Sequence, residues 1–134
     1  MFLVDASVWV GASDPDDRFH AASSALVLDL DRPVAALDLT LYEVANAVGV
    51  RRRRPDDARY LGRLIVKRCQ DRLVAADSEL VESATALAAR HGLTAYDASY
   101  VAAAERHDWT LVSVDLADLV SKGLAVTPDV ADYP

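Results

Sequence analysis

Four carboxylates that are far apart in the sequence could lie together in the fold and act on one substrate. Asp5 interrupts the apolar run Met1–Val10, and Asp115 follows a second apolar run. Glu43 and Asp97 lie near the starts of two patterns that are typical of helices. A buried carboxylate without a partner is costly, so it is normally paired, hydrogen-bonded or bound to a cation. Four such groups in one place repel one another unless a cation neutralises them.

Each acid also has a structural interpretation that needs no ligand. Asp5 alone could be a hydrogen-bonded residue at a strand end, and Asp115 could cap a short helix. Glu43 ends the stretch 40–43, which fits the S/T-x-x-E capping box, and taken alone it favours capping. Asp97 ends a similar stretch, but it heads an apolar stripe and so points inward, which capping does not require.

The residue types narrow the chemistry that such a cluster could perform. Oxygen ligands select a hard ion, Mg²⁺ or Mn²⁺, which takes phosphate oxygens as further ligands. Zinc is disfavoured because the three histidines and Cys69 are not at ligand spacing, and no Gly-rich phosphate loop is present. Ser7 and Ser113 could hydrogen-bond carboxylates or a substrate phosphate. Neither is expected to be a nucleophile, since no histidine is placed to activate it.

The elements that must position these acids alternate between strand and helix patterns, which predicts an α/β fold. Strands are predicted at Phe2–Trp9, Pro33–Leu37, Leu73–Ala76, Thr110–Val114 and Leu124–Val126. Helices are predicted near Asp16–Asp29, from Thr40 to Arg51–Arg54, near Asp56–Asp71, from Leu80 to a C-cap at Gly92, from Asp97 to about His107, and over Ala117–Ser121. Ligands of such sheets bind at the carboxyl ends of the strands, where these acids fall.

Length and composition predict a single domain, 1–134, in a reducing compartment. Hydrophobic residues make up 52% of the 134 positions, which argues against disorder. No apolar stretch approaches the roughly 20 residues of a membrane span. The N-terminus lacks the basic flank and the cleavage site of a signal peptide, and Asp5 interrupts its apolar run, so no signal peptide is expected. The single cysteine, Cys69, reads as a buried apolar residue, so we expect a cytoplasmic protein without membrane contact.

The net charge of −7 is unevenly distributed. Segment 51–72 holds nine of the 14 basic and three of the 21 acidic residues, a net charge of +6 against −13 elsewhere. Within it, Arg59, Arg63 and Lys67 follow at i+4 spacing and predict a basic ridge, while Tyr60 and its apolar neighbours are expected to be buried. Without the four acids, the simplest interpretation of segment 51–72 is a solvated helical hairpin.

Taken together, four short motifs resemble the PIN-domain nucleases, in particular the VapC-type toxins of bacterial toxin–antitoxin modules. They are Val4-Asp5-Ala6-Ser7, Tyr42-Glu43-Val44-Ala45-Asn46-Ala47, Tyr96-Asp97-Ala98-Ser99-Tyr100-Val101-Ala102 and Leu111-Val112-Ser113-Val114-Asp115. The resemblance extends along essentially the whole chain in order and spacing. It implies a three-layer α/β/α sandwich with a mainly parallel sheet, and an acidic quartet of Asp5, Glu43, Asp97 and Asp115. Ser113 stands where the family often has Thr.

The resemblance further implies an endoribonuclease that uses Mg²⁺ or Mn²⁺. Asp5, Asp97 and Asp115 would hold the ion, and Glu43 would complete the site or orient the attacking water. Because an acidic site repels RNA, the basic segment with Arg59, Arg63 and Lys67 would attract the backbone. Ser7 and Ser113 would take the family's polar positions. Asp38 and Asp118 lie nearby in sequence and could be mistaken for quartet members.

Partners follow from the same resemblance. A cognate antitoxin is expected to insert an Arg among the acids, and a homodimer is expected through the third and fourth predicted helices. Two alternatives stay open: an RNA-processing nuclease without an antitoxin, and a non-catalytic acidic module that binds a partner protein. A phosphoacceptor receiver domain ranks last, because the chain lacks the acid pair and the late Lys that such a domain requires.

Overall fold

Four short parallel strands form a sheet in which the N-terminal strand lies at the interior. In this computed structural model, which describes residues 1–131, the strands are β1 (Phe2–Val4), β2 (Val34–Leu37), β3 (Leu73–Val74) and β4 (Thr110–Val112). Their order is β3-β2-β1-β4, and every pair is parallel. Leu3 pairs with Ala35 on one side and with Leu111 on the other. All four strands therefore end at the same edge.

Helices connect these strands, as parallel pairing requires. They are α1 (Ala6–Ser13), α2 (His20–Leu28), α3 (Asp38–Val44), α4 (Pro55–Cys69), α5 (Ser78–His91) and α6 (Ala95–His107). A π-helical segment, Ala45–Arg51, continues α3, a 3-10 turn covers Gln70–Arg72, and a π-helical turn, Leu116–Val120, follows β4. Within the described part of the chain, no helix is both long and apolar enough to span a membrane.

Alternation along the strands divides the helices into two layers. Leu3 of β1 packs with buried residues of α5 and α6, among them Leu80 and Tyr100. Its neighbour Val4 points to the opposite face and packs with α1, α2 and α4, for example with Trp9 and Ile65. These two apolar clusters enclose the sheet, so the predicted three-layer α/β/α architecture is confirmed.

The first predicted strand, Phe2–Trp9, is wrong beyond Val4. The chain turns at Asp5 into α1, and Val8 and Trp9 are fully buried on that helix. A short apolar run is compatible with either a buried strand or a buried helix, and here the β-branched residues favoured the wrong choice. Ser7 consequently lies on the first turn of a helix and not along a strand.

Other boundaries also move. The helix predicted from Thr40 begins at Asp38, and the fifth predicted strand is reduced to a single bridge between Val112 and Val126. Tyr60, predicted to be buried, is exposed on α4. The C-cap at Gly92 is confirmed, with the left-handed φ of 65° that glycine adopts most easily. Positions 132–134 of the predicted domain lie outside the described residues.

Candidate active site

Asp5 lies at the centre of the strand edge and is almost fully buried. It is the N-cap of α1, where its Oδ1 accepts hydrogen bonds from Ser7 N at 3.1 Å and Val8 N at 3.3 Å. Burial raises the pKa of the Asp5 carboxyl to about 6, against the hydrogen bonds from Ser113, Ser7 and Val8, and the charge of Glu43 raises it further. Among residues 1–131, Asp5 is thus an acid that hydrogen bonds hold in place without a cationic partner.

Two serine hydroxyls connect Asp5 with the end of β4. Ser7 Oγ donates to Asp5 Oδ1 at 2.5 Å and accepts from Val114 N at 3.1 Å. Ser113 Oγ lies 3.5 Å from Ser7 Oγ and accepts from Asp115 N at 3.0 Å. The two predicted serines are therefore brought together, and they fix the backbone from which Asp115 projects.

A second group of acids lies beside this network. Carboxylate oxygens of Asp97, Asp115 and Asp118 all lie within 4.8 Å of one another. Asp97 occupies the first turn of α6, where Thr94 Oγ1 caps its amide at 3.1 Å. Asp115 begins the π-helical turn after β4 and accepts from Asp118 N at 3.0 Å. The capping interpretation of Asp115 is therefore correct, and it coexists with membership of the acidic group.

The predicted metal ligands are only partly grouped in this way. Asp97 and Asp115 belong to the group, while Asp5 is not part of it. Asp118, which the sequence analysis did not count among the metal ligands, is the third member of the group. It lies three residues beyond Asp115, in the first turn of the same π-helical segment. Burial raises the pKa of Asp97, and the charges of Asp115 and Asp118 raise it further. The repulsion expected among neighbouring carboxylates is thus present.

Glu43 reaches the same edge from α3. Its backbone does not complete the predicted capping box, because α3 begins before Thr40 and the Thr40 hydroxyl accepts from Leu37 N instead. The half-buried carboxylate accepts a hydrogen bond from Tyr100 Oη at 2.7 Å. Burial raises the pKa of Glu43, Asp97 raises it further, and the hydrogen bond from Tyr100 opposes the shift.

Cations are scarce around this acidic edge. The guanidinium of Arg51, at the end of the π-helical segment, acts on Glu43 and lowers its pKa. Lys122 lies 3.9 Å from Asp118, at a distance typical of a weak exposed ion pair. Within residues 1–131, no salt bridge is formed by Asp5, Glu43, Asp97 or Asp115.

The basic segment separates into an exposed ridge and a structural clamp. Arg59, Arg63 and Lys67 are all exposed along α4 and contact none of the four acids within the described residues. Arg68, by contrast, is buried and donates to the carbonyls of Val27, Asp29 and Arg32, which ties α4 to the end of α2. The charge of Arg68 is therefore used inside the fold and is not available at the surface.

The donor set fits a hard divalent cation. The group offers only carboxylate oxygens, at separations that one ion could span, and burial has already removed part of its solvent. A cation there would relieve the repulsion that raises the pKa of Asp97. Beside it, burial and the charge of Asp97 raise the pKa of Glu43, which favours uptake of a proton from a neighbouring water.

Comparison with known proteins decides the family. The sequence model of the PIN domain matches residues 2–117. This chain belongs to the PIN domain family. Ribonuclease VapC3 of Pyrobaculum aerophilum is 33% identical over 117 residues, which cover 84% of this chain and 88% of that protein. The resemblance to VapC-type PIN proteins is confirmed.

Two solved structures share the fold of this chain. The crystal structure of PAE2754 from Pyrobaculum aerophilum superposes with a TM-score of 0.68 at 27% identity, covering 97% of this chain and 92% of that one. A chain of a toxin–antitoxin complex from Klebsiella pneumoniae gives 0.69 at 18% identity, covering 96% and 98%. At that identity the second match supports the fold alone.

Three residues near the site were missed from the sequence. Asp118 was named only as a possible confusion, although its i+3 spacing from the helix-capping Asp115 places both at one helix end. Thr40 was assigned to a cap and Tyr100 to an apolar stripe. A signal existed for both: Thr40 shares a helix face with Glu43, and Tyr100 shares one with Asp97, each at i+3.

Proposed function

We propose that this PIN domain is a divalent-metal-dependent endoribonuclease that acts as the toxin of a toxin–antitoxin pair. The observation that carries the proposal is the acidic cluster of Asp97, Asp115 and Asp118 beside Asp5 and Glu43, at the edge where parallel sheets bind ligands. The name of the related Ribonuclease VapC3 supports the reaction, and the resemblance to VapC-type toxins supports an antitoxin partner.

The roles of the acids follow from their surroundings. Asp5, Asp97 and Asp115 are the proposed ligands of Mg²⁺ or Mn²⁺, and Asp118 supplies a further carboxylate next to the last two. When bound, such an ion lowers the pKa of a coordinated water and polarises the phosphodiester. Glu43 orients the attacking water and accepts its proton, for which its raised pKa is suited.

The remaining polar residues arrange the substrate. Ser7 and Ser113 hold the acidic edge together through their hydrogen bonds to Asp5, and so keep the carboxylates in place beside the substrate phosphate. Arg59, Arg63 and Lys67 attract the RNA backbone by a charge interaction that weakens as the salt concentration rises. This division lets a strongly acidic site act on a polyanion, because the attractive charge is on α4 and the repulsive charge is neutralised by metal.

The partners are proposed from the same surfaces. An antitoxin Arg that pairs bidentately with Asp5, Asp97 or Asp115 would compete with the cation. Apolar residues of that partner would lie in the groove between the π-helical segment and α4, lined by Leu41, Val50 and Val66. A homodimer through α4 and α5 and a cytoplasmic location complete the proposal.

The central test is loss of the acid charge. Asp97→Asn is expected to abolish Mg²⁺-dependent cleavage of a fluorescent RNA while the protein stays folded, because the variant removes a ligand and also relieves repulsion. Asp31→Asn, which makes the same charge change at an exposed position before β2, should cleave like the wild type. Cleavage by Asp97→Asn at the wild-type rate would leave the non-catalytic binding module as the better function.

The toxin role needs a separate experiment. Co-expression with the product of the neighbouring upstream gene is expected to yield a complex that is inactive on RNA and recovers activity as Mg²⁺ is added. Full activity within a stable complex, or no complex at all, would leave an RNA-processing nuclease without an antitoxin.

A further inference from the structure

A line of buried hydrogen bonds ends at the carboxylate of Glu43. Leu37 N donates to Thr40 Oγ1 at 3.2 Å, and Thr40 Oγ1 lies 2.7 Å from Tyr100 Oη. Tyr100 Oη in turn donates to Glu43 Oε1 at 2.7 Å. The line therefore joins the end of β2, the first turns of α3 and the middle of α6 at a single acid.

The direction of every bond in this line is fixed by counting hydrogens. A phenol hydroxyl carries one hydrogen, and Tyr100 donates it to Glu43 Oε1. The hydroxyl of Thr40 must then donate to the Tyr100 oxygen, while its own oxygen accepts from Leu37. Each donor has an acceptor, so the line has one arrangement and does not alternate between two.

Water has little access to the two hydroxyls. Thr40 is 0% exposed and Tyr100 is 1% exposed. Burial and the charges of Glu43 and Asp5 raise the pKa of Tyr100 well above its ordinary value. Tyr100 therefore remains a donor whenever these acids are ionised. In the described part of the chain, only Oε1 of Glu43 receives a hydrogen bond, which leaves its other oxygen uncommitted.

We propose that Tyr100 and Thr40 are positioning residues that fix Glu43 through Oε1 and leave Oε2 to act on the attacking water. The inference rests on the proposed ribonuclease function. Fixing one oxygen removes side-chain freedom that would otherwise have to be lost during the reaction, and buried support of this kind is what holds a reacting group to a productive geometry.

Tyr100→Phe tests the inference with the least change in packing, because the ring is kept and only the hydroxyl is lost. We expect kcat for a short RNA substrate to fall roughly tenfold to a hundredfold, the range set by one hydrogen bond to a charged group. KM should stay within about twofold, since α4 is untouched. Tyr60→Phe, which removes an exposed hydroxyl without a hydrogen bond among residues 1–131, is the matched control.

A double-mutant cycle separates positioning from general destabilisation. Glu43→Asp shortens the acid by one methylene, so the bond from Tyr100 is lost while a carboxylate remains. In that background Tyr100→Phe should lower kcat by less than about twofold, because the interaction is already absent. Thr40→Ser should retain wild-type kcat, and Thr40→Val should lower it. Full additivity in the cycle, or equal kcat for the Ser and Val variants, would overturn the inference.

The Tyr100 hydroxyl proton gives a readout that does not depend on activity. In the metal-free protein its NMR signal is expected downfield, and it should move upfield in Glu43→Asp as the charge-assisted bond is lost. An unchanged signal would overturn the positioning role directly. A wild-type protein that cleaves no RNA would instead refute the proposed function and the catalytic part of the inference with it, whatever the NMR signal does.

Discussion

The strongest quantitative prediction concerns Asp5 in the absence of metal. The pKa of this buried carboxyl is raised from 3.8 to about 6 by burial, in spite of three hydrogen bonds that favour the charged form. Ionising it in the folded protein at pH 7.5 therefore costs about 3 kcal/mol more than in the unfolded chain, at about 1.4 kcal/mol for each unit of pKa. Asp5→Asn removes that cost and keeps an N-cap residue of equal quality.

The pH dependence has a definite sign. Well below its ordinary pKa of 3.8 the Asp5 carboxyl is protonated in both states and contributes nothing. Between about 4 and 6 the folded protein holds a proton that the unfolded chain has lost, so the free energy of unfolding falls as pH rises. Above about pH 7 the loss is complete and constant. Glu43 and Asp97 shift in the same direction, so only the difference between wild type and variant isolates Asp5.

Urea unfolding in EDTA from pH 4 to pH 8 measures this difference. We expect Asp5→Asn to be more stable than the wild type at pH 7.5, by up to about 3 kcal/mol, and the two proteins to converge near pH 4. Asp77→Asn is the matched control. It changes another N-cap aspartate, but one that is exposed and paired with Arg106, whose hydrogen bonds lower its pKa.

The control should therefore move in the opposite direction, with stability lost and the deficit shrinking as pH falls toward the Asp77 pKa. Asp5→Asn could instead be less stable than the wild type at pH 7.5, or the difference between them could be independent of pH. Either result would show that burial without a cation does not set the pKa of Asp5. Adding Mg²⁺ should stabilise the wild type more than Asp5→Asn, because only the wild type retains the charge that a cation neutralises.

Three further outcomes follow from particular contacts. Replacing Arg59, Arg63 and Lys67 with Gln should weaken RNA binding and reduce the slope of log K against log salt by about 2, measured by fluorescence anisotropy, while Arg90→Gln leaves the slope unchanged. Arg68→Met should lower the free energy of urea unfolding by about 2–4 kcal/mol, because three carbonyls lose a charged donor. An unchanged urea midpoint would show that Arg68 does not stabilise the contact between α4 and α2. Thr94→Ala should lower the free energy of unfolding by about 1 kcal/mol and weaken Mn²⁺ binding, measured by calorimetry, because the amide of Asp97 loses its hydrogen bond. Thr94→Ser keeps the hydroxyl and should have the stability and the Mn²⁺ affinity of the wild type.

Local chemistry made much of this fold predictable from the sequence. Pro55 at the start of α4 and Gly92 after α5 act on their own backbone neighbours, so the residue types alone place those boundaries. The acids followed in the same way, because parallel strands end at one edge and each acid was adjacent to a strand end or a helix start.

Features that depend on distant packing were not predictable in this way. Residues 6–10 form a helix because Val8 and Trp9 fill the space between the sheet and α2, a requirement that nothing within the run expresses. The π-helical segment Ala45–Arg51 likewise packs against α4, so closely that a Cβ at Gly49 would lie 3.2 Å from the Ala58 side chain. A period of 3.6 residues predicts a helix there but not its wider turns.

The same distinction between local sequence and distant packing applies to the candidate site. The identity of Asp5, Glu43 and Asp97 could be read from short motifs, but the raised pKa of each depends on burial by elements far away in sequence. Tyr100 illustrates the point, since it belongs to the apolar stripe of α6 and yet ends in a hydroxyl that reaches Glu43 on α3. Burial therefore raises the pKa of these acids, so the folded protein would gain stability from a cation bound beside them. That gain is a property of the assembled edge and of no single motif.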